Sequence, residues 1–294
     1  MKKLRFIINP NSGASRKEHF ADWIKECIDT SVNQFDIAYT KAPHHATEIA
    51  REAAEQAFDI VVVVGGDGSV NEAGAGLIGT QTAMGIIPTG SGNGLARHLG
   101  LPMDFKAAVS LLNNCTIDRI DTLLVNERFC AGTFGLGFDA HVAHLFAVAG
   151  TRGYSTYVKL VLTEFFKYPS RDFTIVADGK EYVKECFLLT FANSSQFGNN
   201  AVIAPFADIK DGIIDISILK KFPLITAPGL VYRMMNNSLH RSNYFDRLTG
   251  RDILVRNTGN IKGHIDGEPV ELTGDIKIKM VPLSLNVAVR KHNS

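Results

Sequence analysis

Much that would assign a function at once is missing from these 294 residues. Lys plus Arg total 31 against 30 for Asp plus Glu, a net charge of +1, so there is no electrostatic surplus for wrapping nucleic acid. The four cysteines, Cys27, Cys115, Cys130 and Cys186, lie far apart, form no CxxC or Cys/His metal pattern, and read as reduced thiols. No apolar run approaches the ~20 residues of a membrane span. Met1-Lys2-Lys3 leads into a strand without the apolar core of a signal peptide, so a cytoplasmic protein is expected. There is no GxxxxGK[ST], which excludes a standard P-loop, and no HRD or DFG set of a protein kinase. Internal repeats and low-complexity linkers are also lacking. What is left, 45% hydrophobic residues in a chain longer than one typical domain, suffices for two cores.

Within that spare composition, Val61 to Glu72 reads VVVVGGDGSVNE. Four successive valines need cover on both faces, as in the centre of a parallel sheet. The chain must then turn at Gly65 and Gly66, with Asp67, Gly68 and Ser69 at the turn and Asn71 and Glu72 in the helix expected from Val70. Glycine lets the backbone approach a ligand closely, and a helix start offers free N–H groups, so the turn reads as a phosphate site with a carboxylate beside it. Ile86 to Arg97, IIPTGSGNGLAR, repeats the grammar with Thr89, Gly90, Ser91, Gly92 and Asn93. Asn9, Pro10, Asn11, Ser12 and Gly13 do so a third time after the first strand. In an open α/β sheet, loops at the carboxyl ends of the strands face one crevice, so all three would serve one anion.

The first 120 or so residues alternate strand and helix. Strands are expected at Leu4–Ile8, Phe35–Tyr39, Asp59–Val64 and Met84–Ile87, with helices near Ser15–Ile28, His45–Ala57, Val70–Ile78 and Phe105–Leu112. That alternation predicts a doubly wound parallel sheet over residues 1–118, the nucleotide-binding domain. After Asp118, with the boundary near Thr116 to Asp121, the pattern predicts a mainly antiparallel β-sandwich over 119–294. Arg171–Ala177 and Tyr182–Ala192 flank the hairpin turn Asp178-Gly179. Further strands are expected at Ile213–Leu219, Asp252–Arg256, Asn260–Ile265, Glu268–Leu272, Asp275–Met280 and Leu285–Val289, with helices inserted from about Asp139 to Phe166 and Leu224 to Met235.

Taken in order and spacing, these segments resemble the diacylglycerol kinase catalytic domain family, shared by bacterial lipid kinases, sphingosine kinases and ceramide kinases, along nearly the whole chain. NPNSG at 9–13, GGDGS at 65–69 and GSGN at 90–93 are similar to its three nucleotide loops. Gly135-Leu136-Gly137-Phe138-Asp139-Ala140 is similar to its GxGFDA segment. The resemblance implies that Asp266-Gly267-Glu268 is the late DGE motif holding the catalytic base. It also implies that the stretch from Ala204 to Gly212 binds a structural magnesium, and that Asp121 links magnesium to the base. The family's second loop often carries an aspartate after the asparagine, where this chain has Gly94.

The reading that follows is an ATP- and Mg²⁺-dependent lipid kinase phosphorylating a hydroxyl of diacylglycerol or a long-chain base. The loop amides would cradle phosphates, Asp67 would hold magnesium or its water, and Asp266 and Glu268 would face the nucleotide across a cleft between the domains. Asp67 is expected to be an exposed carboxylate that adds little to folding. Asp211, with main-chain carbonyls of Asp208 and Ile213, is either a magnesium ligand or the first residue of a turn. Asp121 is either part of the metal network or a solvated strand-end carboxylate. Thr40, closing the second strand, is a contact for adenine or ribose, or structural. Rival readings are an NAD kinase, which shares the GGDG turn, and a nucleotide-binding regulator without turnover. The expected partner is a lipid at a membrane surface, with peripheral contact at the inner face and a homodimer both compatible.

Several patterns carry less. Gly74 to Gly79 satisfies GxGxxG but lies within a helix, where close helix packing explains it better. His44 and His45 open a helix without ligand partners, and His141 and His144 share a helical face without a third ligand. Tyr154 to Tyr168, YSTYVKLVLTEFFKY, reads either as a helix packed on the sandwich or as a surface for acyl chains.

Overall fold

The computed structural model describes residues 1–10, 19–149 and 154–291. The chain forms two compact units: Met1–Asp121 together with the closing segment from Pro282, and Thr122–Val281.

In the first unit the order is β1 (Lys2–Ile8), α1 (Phe20–Cys27), β2 (Asn33–Tyr39), α2 (His45–Glu55), β3 (Ile60–Gly65), α3 (Asp67–Leu77), β4 (Ala83–Pro88), α4 (Gly94–His98), α5 (Phe105–Leu111) and the start of β5 (Cys115–Val125). The strands run parallel in the order β2-β1-β3-β4. The valine run is β3, flanked on both sides and buried at every position, as its composition requires. Leu4, Phe6 and Val62 on the sheet pack against Phe20 and Ile24 of α1 and Val109 of α5, and each such burial contributes about 1.5–3 kcal/mol. α3 begins at Asp67, three residues earlier than expected, because Gly66 takes the N-cap position and GGDG itself winds the first turn. The helical GxGxxG is a packing device. A Cβ on Gly76 would stand 2.5 Å from the Thr47 carbonyl oxygen of α2. Residues 11–18, with Asn11, Ser12, Gly13 and the expected start of α1, lie outside the described residues.

The second unit is built from β6 (Arg128–Cys130), β7 (Thr133–Gly137), α6 (Phe138–Val148), α7 (Tyr154–Glu164), β8 (Arg171–Ala177), β9 (Lys180–Cys186), β10 (Leu188–Ala192), β11 (Ile214–Leu219), α8 (Ala227–Met235), β12 (Phe245–Gly250), β13 (Asp252–Arg256), β14 (Asn260–Ile265), β15 (Glu268–Thr273) and β16 (Ile276–Arg290). One antiparallel sheet is ordered β12-β11-β10-β7-β14-β15, and β16, β13, β8 and β9 form the other side. Phe134, Phe191, Ile216, Ile253, Val255 and Ile278 fill the core of this sandwich. The sandwich expected from the strand pattern is therefore present.

Two strand readings need correction. Tyr182–Ala192 is not one strand: β9 and β10 belong to different sheets, and the chain changes sheet at Phe187, whose N–H donates to the Leu219 carbonyl and whose own carbonyl accepts from Phe138. A continuous apolar pattern does not show such a crossing. Conversely, Asp275–Met280 and Leu285–Val289 are one strand, β16. Its early part pairs antiparallel with β13, and Val287 beyond Pro282 pairs parallel with Met84 of β4. Leu283 absorbs the irregularity with a φ of 46°. β5, β6, β7 and β12 were not expected as strands.

Candidate active site

The glycine loops of the first unit press main chain against main chain. A Cβ on Gly90 would stand 2.6 Å from the Gly66 Cα, and one on Gly65 would meet the Ser69 side chain at 2.6 Å, so neither position admits a larger residue without movement. Asp67 locks the two loops together. Its Oδ2 accepts the Asn93 N–H at 2.8 Å and its Oδ1 the Gly94 N–H at 2.7 Å. Asn93, left-handed at φ 54°, caps the start of α4 and folds its side chain back on Gly90, accepting its N–H at 3.0 Å and donating to its carbonyl at 2.8 Å. Arg97 Nε closes the loop on the Gly92 carbonyl at 3.1 Å, which leaves Ser91 exposed and Gly92 half-buried at the tip.

Asp67 is thus a half-buried anchor and not the free, exposed turn carboxylate expected. The amides of Gly90, Asn93 and Gly94 are used within the loop pair. The first-turn amides of α3 at Gly68 and Ser69 supply the helix-start donors. The Asn9 Nδ2 reaches the Ser69 Oγ at 3.4 Å, and the Thr89 hydroxyl is buried with no partner among the described residues. Thr40 is buried at the end of β2 beside Ile8, to which its N–H donates. Glu72 faces α2 instead. Its Oε2 accepts the Ala46 N–H at 3.3 Å, and its carbonyl accepts the Thr47 hydroxyl at 2.7 Å, so it holds the start of that helix.

In the second unit Asp266 and Gly267 form the two-residue turn between β14 and β15, with φ of 49° and 85°. The Asp266 carboxylate accepts three successive amides across the β6–β7 corner: Ala131 at 2.8 Å, Gly132 at 2.8 Å and Thr133 at 2.9 Å. Its own N–H returns a bond to the Thr133 carbonyl at 2.8 Å. Cys130 lies 3.6 Å away, and burial followed by this carboxylate pushes its thiol well above the usual range. Asp266 therefore shapes the turn. Glu268, the first residue of β15, stands exposed beside it.

A second support was not legible in the sequence. His264 and Asp139 are both buried, with Nε2 and Oδ2 2.9 Å apart. The Gly267 N–H donates to His264 Nδ1 at 3.3 Å, so the ring proton sits on Nε2 and is donated to Asp139. His144 braces the same hairpin through the carbonyls of Gly263 at 3.0 Å and Val270 at 3.2 Å. The GxGFDA segment thus opens a helix, α6, that clamps the DGE hairpin. Its Gly135 is forced, since a Cβ there would stand 2.2 Å from His264 Nε2. His141 goes elsewhere, to Glu164 at 3.0 Å.

The remaining metal candidates stand apart from these groups in their bonding. Asp121 is fully buried and its Oδ1 accepts the Leu283 N–H at 2.7 Å, which pins the irregularity in β16, so it is not a solvated strand-end carboxylate. Asp208 and Asp211 lie in the loop before β11, both exposed. Asp208 Oδ1 accepts the Lys210 N–H at 3.0 Å and Asp211 Oδ1 the Ile213 N–H at 2.9 Å. Among the described residues no three His, Cys, Asp or Glu side chains converge on a metal position. The Asp67 carboxylate at a helix start is the oxygen donor type magnesium takes, since Mg²⁺ commonly binds one or two carboxylates and completes its shell with phosphate and water.

Comparison with known proteins agrees with this geometry. Residues 3–125 match the diacylglycerol kinase catalytic domain, and residues 132–289 match the YegS C-terminal NAD kinase beta sandwich-like domain. The diacylglycerol kinase of Bacillus subtilis (strain 168) is 31% identical, over 75% of this chain and 75% of its own. That of Mycobacterium tuberculosis (strain CDC 1551 / Oshkosh) is 32% identical over 76% of this chain and 78% of its own. A crystal structure of a diacylglycerol kinase from Bacillus anthracis str. Sterne superposes with a TM-score of 0.73 at 18% identity, covering 97% of this chain and 96% of that one, which shows the shared fold. The chain belongs to the diacylglycerol kinase family of lipid kinases.

Proposed function

We propose that the protein transfers the γ-phosphoryl group of ATP, with Mg²⁺, to a hydroxyl of diacylglycerol or of a long-chain base. The observation that carries this reading is the pair of glycine loops held in main-chain contact by Asp67, a rigid anion cradle at a helix start. Phosphoryl transfer asks a protein chiefly for positioning and for a carboxylate that orients or deprotonates the attacking hydroxyl. Gly66, Gly68, Ser69, Ser91, Gly92 and Thr89 would hold phosphates, with Asn9 bracing Ser69 and Thr40 near the nucleoside. Glu268 would take the acceptor proton, and Asp266 would hold Glu268 in place. When bound, magnesium neutralises charge on the β- and γ-phosphates; Asp67 would hold it directly or through water. Asp211, with the main-chain carbonyls of Asp208 and Ile213, would hold a second, structural ion, and Asp121 would act through its hold on β16.

Relatives named diacylglycerol kinase favour diacylglycerol as acceptor. Among the described residues no helix is long and apolar enough to cross a membrane, so the lipid would be met at a surface, on the cytoplasmic side in this reading. Purified protein with labelled ATP, Mg²⁺ and a panel of diacylglycerol, monoacylglycerol, sphingosine, ceramide and NAD tests it. Labelled phosphatidic acid is the expected product. Product on NAD alone would convert the reading to an NAD kinase, and no product on any acceptor to a nucleotide-binding regulator.

A further inference from the structure

α8 differs from an ordinary surface helix in being apolar on both its inner and its outer face. Its inward side is held by buried Leu230 and by Met234, which packs on the Phe138–Phe187 cluster and whose carbonyl accepts the Val202 N–H. Its outward positions 228, 231, 232 and 235 recur at helical spacing, and all four are apolar: Pro228, Val231, Tyr232 and Met235. Val231 is 57% exposed, Tyr232 68% and Met235 49%, and Ile225, in the 3-10 turn just before the helix, is 88% exposed. Single exposed apolar residues need no explanation, but a stripe on one helix with a fifth at its entry marks a surface that meets something.

The charge around the stripe selects the partner. From Ile216 to Phe245 the chain has no acidic residue, while Lys220, Lys221, Arg233 and Arg241 fall within it. Lys221 is occupied by the carbonyls of Phe165 and Tyr168, both at 2.6 Å, but Lys220 and Arg241 are exposed. A helix with an apolar outer face, exposed cations at either end and no carboxylate matches an anionic bilayer surface, where apolar side chains enter the headgroup boundary and cations pair with lipid phosphates. We infer that the excursion from Lys220 to Arg241, with α8 at its centre, docks this protein on an anionic membrane surface. The inference rests on the surface itself, and the lipid-kinase reading adds only what the docked enzyme would act on.

The test is cosedimentation, without ATP, with phosphatidylcholine vesicles containing about one-third phosphatidylglycerol. The wild-type protein is expected to bind, more weakly as salt is raised. The Ile225→Asp/Tyr232→Asp double variant should bind at least about tenfold more weakly. Both substitutions are at exposed positions, and an unchanged melting temperature together with unchanged phosphorylation of a soluble short-chain acceptor shows that the fold is intact. Equal binding by the variant would overturn the inference, as would equal binding to pure phosphatidylcholine. If wild type fails to bind vesicles but is a dimer that the variant dissociates, the stripe belongs to a second copy. A monomer that fails to bind leaves the stripe to a protein partner. Phosphorylation of diacylglycerol in detergent micelles without vesicle binding would end the docking inference and leave the kinase reading standing; vesicle binding without phosphorylation of any acceptor would do the reverse.

Discussion

Two Asp-Gly hairpins in the second unit have nearly the same backbone and different surroundings. Asp178-Gly179 turns with φ of 48° and 82°, and Asp266-Gly267 with 49° and 85°. In each the carboxylate bends away from its own hairpin to hold amides of another segment. Asp178 takes those of Arg251 and Asp252, both at 2.9 Å, and Asp266 takes those of Ala131, Gly132 and Thr133. The turn and its anchoring aspartate are therefore architecture that the fold uses twice. What differs is the next residue and the support beneath: Lys180 follows the first turn and Glu268 the second, and only the second rests on a buried His264–Asp139 pair. A DG turn carries no function by itself; in the proposed reading the exposed carboxylate that follows it does, in proportion to how firmly it is held.

The strongest way to break this comparison is to exchange the residues that follow the turns. Glu268→Gln should lower kcat by about 10²–10⁴-fold, the usual contribution of a general base, with no loss of thermal stability because the side chain is exposed. Lys180→Gln should leave both unchanged. Phosphorylation assays and thermal melts of the two variants check this, and a Glu268→Gln enzyme with wild-type turnover would remove Glu268 from the chemistry. Asp266→Asn comes next. An amide offers one acceptor where three N–H groups converge, and its own N–H₂ must face at least one of them, so about 2–4 kcal/mol of stability should go together with activity. Asp178→Asn, with fewer bonds at an exposed corner, should cost less and leave turnover intact. Urea titrations and kcat on both variants separate anchor from catalyst.

The unequal legibility of the molecule has the same origin. The glycine loops could be read because their chemistry is main chain and because close approach forces the residue type, as at Gly66 and Gly90. The parallel strands could be read because burial on two faces demands runs such as Val61 to Val64. Asp67 was found but its state was not, since its partners Asn93 and Gly94 are 26 and 27 residues away and bond through amides that every residue type but proline has. Asp266 is a sharper case, bonded to Gly132 at a separation of 134 residues. The break of β9 from β10 at Phe187 and the run of β16 through Pro282 were hidden for a tertiary reason. Which sheet a strand joins is decided by its neighbours, and alternation along the chain is the same either way.

The buried pair under the second hairpin sharpens the comparison with a smaller effect. Asp139 Oδ1 accepts the Ala140 N–H at 2.9 Å while Oδ2 accepts from His264, so an asparagine at 139 must turn its N–H₂ toward one of these donors. The His264 ring would then be driven to carry its proton on Nδ1, against the Gly267 N–H. Asp139→Asn is expected to lower kcat by about 10–100-fold with the KM for ATP nearly unchanged, as loss of an orienting partner does. His264→Asn, which keeps an acceptor near the Nδ1 position, should recover part of the loss. A rise in KM for ATP equal to the fall in kcat would mean general damage and not loss of position.

The smallest effect belongs to the Asp178-Gly179 hairpin. The amides of Asp252 and Arg251 hold the Asp178 carboxyl below the ordinary carboxylate range. A carboxyl whose folded pKa is lowered adds stability that is complete above its unfolded value, near pH 4, and disappears as the pH falls through the lowered folded value. Because the side chain is almost fully exposed, solvent screening keeps the contribution under about 1 kcal/mol. The urea midpoint of wild type should therefore exceed that of Asp178→Asn slightly at pH 7, and the gap should shrink as the pH falls below about 4 and close once the folded carboxyl is protonated. A gap that stayed constant over that range would show that the turn is held by its dihedral geometry alone, and the likeness between the two hairpins would end at the backbone.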